Sequence, residues 1–297
     1  MSSPKTRKKL RPLPYLLILP TAAFVALFTA WPVLLSIYQS FFRQRMNIAR
    51  FREPTFIGLG NYIDLFTDPY FIQVIKNTLF YILGTVPISI MLGFLFALLV
   101  NRKMRGVGVL RLALFHPMVL PMVSAATIWL FLFTPTYGLF NTALSFLGYS
   151  GPENWTGNPS LALLSVIIVA IWKNAGYYMI FYLAGLQNLP KDVFEAAALD
   201  GANGWQTLWR ITFPLLRRTT LFITTVAFID AFRTIDHIFV LTSGGPSRAS
   251  TVLLFELWQQ RFEYQDIGAS AAITVIFVIV LLAFTVTNFL TTERKEA

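Results

Sequence analysis

Four ionisable side chains, Asp230, Arg233, Asp236 and His237, crowd one short stretch of an otherwise apolar chain. Their spacing of i, i+3, i+6 and i+7 lets Arg233 reach a carboxylate one turn away on either side if the stretch is helical. Such a cluster can lock a helix by pairing internally, relay protons through Asp230, Asp236 and His237, or offer charge to a polar solute. A second group, Trp172-Lys173-Asn174 followed by Tyr177 and Tyr178, combines a cation with amide, hydroxyl and aromatic surface. Aromatic faces stack on sugar rings while amides and hydroxyls satisfy sugar hydroxyls, so this composition suits a carbohydrate path. The same aromatics also gather at membrane interfaces without any ligand. Composition excludes other chemistry. With no cysteine there is no disulfide, thiol nucleophile, iron–sulfur cluster or Cys-ligated zinc. The two histidines, His116 and His237, make no metal site, and His116 between Phe115 and Pro117 reads as a packing residue. No nucleophile–base pair assembles into an enzyme site, and no Gly-x-x-x-x-Gly-Lys-Ser/Thr loop is present to hold a nucleotide phosphate.

The elements that must position these groups follow from hydropathy. The chain has 297 residues, 56% of them hydrophobic and 13% charged, with mean hydropathy +0.61. A soluble fold of this length has too little interior for that much apolar surface, which predicts an all-α, polytopic membrane protein. Crossing ~30 Å of hydrocarbon takes roughly 20 apolar residues at ~1.5 Å each. Six stretches satisfy this: 15–38, 77–100, 112–133, 161–183, 219–242 and 267–290, with the two polar groups inside the fourth and fifth. Pro20, Pro32, Pro87, Pro117 and Pro121 lie within these runs, where membrane helices tolerate them because neighbours re-satisfy the freed carbonyls. The expected organisation is a basic N-terminus over 1–14, one transmembrane domain over 15–290 and a short tail over 291–297.

Basic residues set the orientation. Lys5, Arg7, Lys8, Lys9 and Arg11, then Arg102, Lys103, Arg105 and Arg111, then Lys191, Arg210, Arg217 and Arg218, and finally Arg294 and Lys295 all fall on one side. They outnumber Arg43, Arg45, Arg50, Arg52, Lys76, Arg248 and Arg261 on the other, so both termini are expected in the cytoplasm. This distribution also accounts for the net charge of +10 without nucleic acid, since the clusters flank apolar runs. In the second outer loop, 134–160, the apolar run 139–149 is too short to span and reads as an interfacial helix or one packed on the outer face.

The inner loop 184–218 is the most structured of the connections. Pro190 suits a first helical position, Asp192 and Glu195 have the spacing of a capping box, and an alanine-rich helix follows. Gly201 is placed to end it in a left-handed cap, and a second helix with Trp205, Leu208, Trp209 and Thr212 on one stripe runs to a stop at Pro214. A narrow helix carrying Ala196, Ala197 and Ala198 beside the carboxylates of Glu195 and Asp200 can enter a cleft in a partner; the alternative is an amphipathic loop lying on lipid headgroups.

Glu195-Ala196-Ala197, three residues, Gly201, nine residues, Ile211, one residue, then Phe213-Pro214 resembles the EAA loop of permease subunits in binding-protein-dependent ABC importers, with Phe213 where leucine is usual. Phe56-Ile57-Gly58-Leu59-Gly60-Asn61-Tyr62 and Leu241-Thr242-Ser243-Gly244-Gly245-Pro246 are similar to motifs of the branch that carries sugars and glycerol 3-phosphate. The resemblance implies a type I importer permease of six transmembrane helices in a bacterial inner membrane, carrying a sugar, glycoside or related polyol. It implies three partners: an ABC ATPase dimer that holds ATP and Mg, a second homologous permease, and a periplasmic solute-binding protein. Glu195, Ala196, Ala197, Asp200, Gly201, Ile211 and Pro214 would couple to the ATPase, and no cofactor would sit on this chain. The solute path would draw on Lys173, Asn174, Tyr177, Tyr178, Asp230, Arg233 and Asp236. The competing reading is a proton-coupled secondary transporter using Asp230, Asp236 and His237.

Overall fold

The computed structural model describes residues 13–102, 104–149 and 153–293. The basic residues Lys5 to Arg11, Lys103, Arg294 and Lys295, which weigh in the orientation, lie outside the described residues. The chain divides into two compact units, the first built from the N-terminal segment through Ile63 together with Gln260–Ile276.

In that first unit α1 (Leu13–Val25) passes through a π-helical turn, Ala26–Ala30, into α2 (Trp31–Gln39), and the stretch Leu16–Gln39 is long and apolar enough to cross a membrane. Pro32 has no N–H to donate, and the wide turn just before it, closed by the Trp31 N–H on the Ala26 carbonyl, lets the helix continue past the ring. Two short strands, β1 (Phe42–Arg43) and β2 (Thr55–Phe56), pair antiparallel, with Phe42 opposite Phe56. The Phe56–Tyr62 motif ends in side chains that fasten this turn of chain. Asn61 Nδ2 donates to the carbonyls of Ser40 (2.8 Å) and Phe42 (2.9 Å), and the Tyr62 hydroxyl donates to Ser40 Oγ at 2.8 Å. Arg45 Nε pairs with Asp266 Oδ2 at 2.5 Å. The motif's last residues open helix α3 (Gly60–Thr67).

The second unit comprises Asp64–Gln259 and the chain from Phe277 onward. Its scaffold is two long continuous helices, α4 (Pro69–Val100), capped by Asp68 accepting from the Tyr70 N–H, and, further along, the helix Pro159–Gln187. Between them run α5 (Val107–Val119) and α6 (Met122–Leu132), which bend by 102° at Leu120-Pro121, and the short helix α7 (Leu139–Phe146). Pro159–Gln187 is α8. It packs along α4 so closely that a Cβ on Gly93 would press on Tyr178 and on the Ala175 carbonyl. The Phe94 and Tyr182 rings meet edge to face at 5.3 Å. Buried Asn77, Tyr81, Thr85 and Ser89 recur every fourth residue on α4, a polar stripe inside an apolar helix.

The α7 segment matches the expected short helix. Phe140 packs among Trp129, Phe133 and Trp155, while Leu139, Phe146 and Leu147 stay exposed. After α8 come α9 (Lys191–Leu199), α10 (Gly204–Thr207), a π-helical turn Leu208–Thr212, α11 (Phe213–Leu215) and α12 (Arg217–Phe232). Then follow α13 (Asp236–Leu241), α14 (Leu253–Trp258) and the closing helix α15 (Ile267–Glu293). Asn77 Nδ2 donates to the carbonyls of Arg248 (2.9 Å) and Thr251 (3.0 Å), and Thr251 Oγ1 donates to the Gly244 carbonyl at 2.9 Å. These bonds tie the Thr-Ser-Gly-Gly-Pro turn to α4.

The expected six spans thus resolve into four continuous helices of sufficient length, one bent pair over 107–132, and one interrupted pair over 217–241. Two expected single helices are corrected. The stretch 112–133 turns at Pro121, which cannot donate to the Pro117 carbonyl four residues back. The stretch 219–242 stops at Phe232 and restarts at Asp236.

Candidate functional site

Both interruptions open onto one polar cavity of about 380 Å³ in the second unit. From α8 it receives Lys173 and Asn174; from the α12–α13 interruption, Asp230, Arg233, Asp236 and His237. The two groups picked out in the sequence therefore meet, although more than fifty residues separate them. Tyr81 on α4, Met118 and Met122 at the α5–α6 bend, and Thr234 and Ile235 complete the wall, and none of these stood out in the sequence. The signal for Tyr81 was available in the four-residue polar stripe on α4.

The geometry corrects the proposed Arg233 lock. Arg233 is the residue that caps the C-terminal end of α12 (φ −85°, ψ 5°) and Ile235 is far from helical (φ −145°, ψ −40°), so the one-turn spacing to Asp236 no longer holds. Among the described residues no ion pair joins Arg233 to Asp230 or Asp236, and all three are exposed to the cavity or its mouth. The interruption is pinned from α4 instead. The buried Tyr81 hydroxyl lies 3.1 Å from Thr234 Oγ1 and 3.3 Å from His237 Nε2.

Lys173 is 9% exposed, and its Nζ donates to the carbonyls of Leu120 (2.5 Å) and Pro117 (3.1 Å), with a longer contact of 3.5 Å to Met118. Tyr177 and Tyr178 do not line the cavity. Tyr178, five residues on from Lys173, is turned by the helical period onto α4 and buried at Gly93, whereas Tyr177 lies one turn along from Lys173 on the same face and packs edge to face on Phe181 at 4.9 Å instead of reaching the cavity. His116 is exposed rather than packed. No group of three or more metal-ligating side chains occurs among the described residues.

The loop 184–218 folds as two helices around a turn. Gly201 adopts φ +75°, its N–H bonds the Ala198 carbonyl (3.2 Å), and the Ala202 N–H reaches the Ala197 carbonyl (2.9 Å), the left-handed cap expected of it. The expected capping box of Asp192 and Glu195 does not form. Pro190 takes the cap position itself (φ −66°, ψ 128°), and Asp192 already lies in the first turn. The capping box belongs to the next helix, where Asn203 and Gln206 bond each other's backbone N–H at 2.9 Å. Pro214 is no stop either, because the π-helical turn Leu208–Thr212 accommodates its ring and the helical path continues to Leu215. On α9 the period places Ala197 inward and buried, and leaves Glu195, Ala196, Asp200 and Leu199 outward, Leu199 90% exposed. Exposed Trp205 and Trp209 extend this apolar surface. Ile211 is half-buried and Pro214 exposed.

Comparison with known proteins agrees along nearly the whole chain. The sn-glycerol-3-phosphate transport system permease protein UgpA of Yersinia pestis is 34% identical over 287 residues, 95% of each chain. The trehalose/maltose transport system permease protein MalF of Thermococcus litoralis is 34% identical over 272 residues, covering 92% of this chain and 90% of MalF. Among solved structures, a chain of a bacterial ABC transporter involved in the import of the acidic polysaccharide alginate shares the fold, with a TM-score of 0.81 at 23% identity over 95% of each chain. A second crystal structure of an alginate ABC transporter, in complex with an alginate pentasaccharide-bound periplasmic protein, superposes with the same TM-score at 22% identity over 95% of this chain and 94% of that one. The family described as binding-protein-dependent transport system inner membrane component matches residues 71–292. With the spans, the two broken helices and the helix–turn–helix of the 184–218 loop in place, the chain belongs to that family of multi-pass inner-membrane transport components.

Proposed function

We propose that the chain is one permease half of an ATP-driven importer and that its solute is a sugar or related polyol, including forms that carry a phosphate or carboxylate. The observation that carries the solute reading is the convergence of Lys173, Asn174, Asp230, Arg233 and Asp236 on a single polar cavity at the interruptions of two helices. Amide and carboxylate groups there match solute hydroxyls, and Arg233 matches an anionic substituent. The similarity to permeases named for glycerol 3-phosphate and for trehalose and maltose supports the same class.

Coupling runs through the loop 184–218. Glu195, Ala196, Asp200 and Leu199 form the outward face of α9, which enters a cleft of an ATPase subunit, and the Gly201 turn sets the angle at which α9 is held. ATP and Mg belong to that partner; a second permease completes the pathway, and a periplasmic binding protein delivers solute from the side opposite the termini. ATP-driven closure of the ATPase dimer moves α9, and the spans alternate their access in response. Proton-driven transport through Asp230, Asp236 and His237 is not favoured: His237 is buried, with its Nε2 against the Tyr81 hydroxyl.

The test is reconstitution of the permease pair with its ATPase and binding protein in liposomes, followed by uptake of a panel of neutral sugars and phosphorylated polyols. Uptake that requires internal ATP and external binding protein supports the reading. Uptake by the permease alone along a pH gradient would refute it.

A further inference from the structure

The bend between α5 and α6 leaves backbone carbonyls without helical partners. In a continuous helix the Pro117 carbonyl would accept from residue 121, and Pro121 has no N–H. The 102° turn carries the N–H groups that would serve Met118 and Leu120 out of line. At bilayer depth lipid offers no donor to replace them, so protein groups or cavity water must. Lys173 supplies the donor from α8, with Nζ at 2.5 Å from Leu120 O, 3.1 Å from Pro117 O and 3.5 Å from Met118 O. Three acceptors match the three donors of an ammonium, and the C-terminal end of α5 carries the negative pole that favours a cation. Its reach is set one turn further along α8. The Leu114 carbonyl occupies the space a Cβ on Gly176 would need, so only glycine lets α5 approach this closely.

We propose that Lys173 is a positioning residue: by satisfying the carbonyls at Pro117 to Leu120 it holds the α5–α6 bend, and the bend holds Met118 and Met122 on the cavity wall. Lys173 then contributes to transport through the shape of the wall rather than by ligating solute, because its donors are already engaged. The consequence for transport rests on the cavity being the solute path, whereas the bend does not. The effect extends further, because α6 packs on α13, which carries Asp236 and His237.

The chain has no cysteine, so two can be introduced cleanly at Val109 and Phe131, exposed positions on α5 and α6. At ~1.5 Å per residue, two legs meeting at the observed 102° bend put these sites about 20 Å apart, and one straight helix about 33 Å. Nitroxides at both sites, with distances read by pulsed dipolar spectroscopy in the assembled transporter in nanodiscs, report the bend directly. The expected results are the short distance in the otherwise native protein and in Lys173→Arg, and a shift toward the long one in Lys173→Met. Gly176→Leu keeps the lysine but pushes α5 away, and it should lengthen the distance too, which keeps the test open if Lys173→Met does not assemble. An unchanged short distance in both variants overturns the proposal, most directly if Lys173→Met also abolishes uptake, since the lysine would then act on solute. Distances that shift as expected in a transporter that takes up no sugar or polyol would support the bend and count only against the functional reading.

Discussion

Gly201 allows the coupling reading to be tested through a backbone angle alone. Its φ is +75°, and nothing lies within 4 Å of the position a Cβ would occupy. A side chain there meets no neighbour, so the cost of substitution is confined to holding an L-residue in the left-handed region, about 1–2 kcal/mol. That depletes the turned form by roughly 5- to 30-fold relative to its alternatives. Asparagine visits this region more readily than alanine, and a β-branched valine resists it most. The bonds at stake are those from Gly201 N–H to Ala198 and from Ala202 N–H to Ala197, which orient the end of α9. Uptake per ATP hydrolysed in the reconstituted transporter should fall in the order Gly201, Asn, Ala, Val. The melting temperature of the purified protein should barely move, since the turn is exposed. Normal coupling in Gly201→Val would refute the reasoning. So would equal loss in all three variants, because a conformational penalty must be graded by residue type.

Leu199→Asp places a charge on a side chain that is 90% exposed, so it should leave thermal stability within about 0.5 kcal/mol while weakening co-purification of the ATPase subunit at least tenfold. Arg233→Gln removes a cation that no ion pair engages among the described residues, and it should reduce uptake of anionic polyols more than of neutral sugars, measured as kcat/KM in competition, without destabilising the permease. Tyr81→Phe strips the hydroxyl that pins Thr234 and His237, and it should lower stability by about 1–3 kcal/mol on denaturant titration and broaden the conformations of the α12–α13 interruption.

Local backbone chemistry made part of this molecule legible in advance. Gly201 was readable because only one residue type ends a helix in the left-handed region without strain. The short helix near 139 was readable because its apolar run is too brief to span. Pro117 and Pro121 were visible too, but tolerance of proline in membrane helices argued for a straight span. The decisive detail is that they stand four apart, so one removes the donor the other's carbonyl requires. Pro32 and Pro214 show the other outcome, in which a π-helical turn just upstream absorbs the ring and the helix carries on. The interruption at Arg233-Thr234-Ile235 contains neither glycine nor proline, and its stabilising partner, Tyr81, is 153 residues away from Thr234 in sequence. Nothing local could announce it. For the same reason the two polar groups were found separately and their meeting was not, since that depends on two helices stopping where the pattern of hydrophobic residues continues.

Those stops explain why this cavity, rather than another surface of the spans, is the place to look for solute. Backbone that leaves helical geometry at bilayer depth survives only where protein groups or a water-filled cavity take up its N–H and C=O groups. Here each interruption has a side-chain tether from the continuous α4–α8 pair: Lys173 for the carbonyls at the α5–α6 bend, Tyr81 for Thr234 and His237 between α12 and α13. The scaffold that bears the tethers is dense, with glycine at the close approach of α4 to α8, whereas the walls it holds are short helical pieces joined at breaks. A short piece can pivot at its break by exchanging a few hydrogen bonds, which a continuous helix packed over its whole length cannot do. The arrangement therefore separates a continuous frame from walls broken into short pieces, and it puts the charged side chains Asp230, Arg233 and Asp236 beside one of those breaks. Under the proposed function, a pivot at that break would change access and recognition together, as alternating access demands of any solute site that must bind on one side and release on the other.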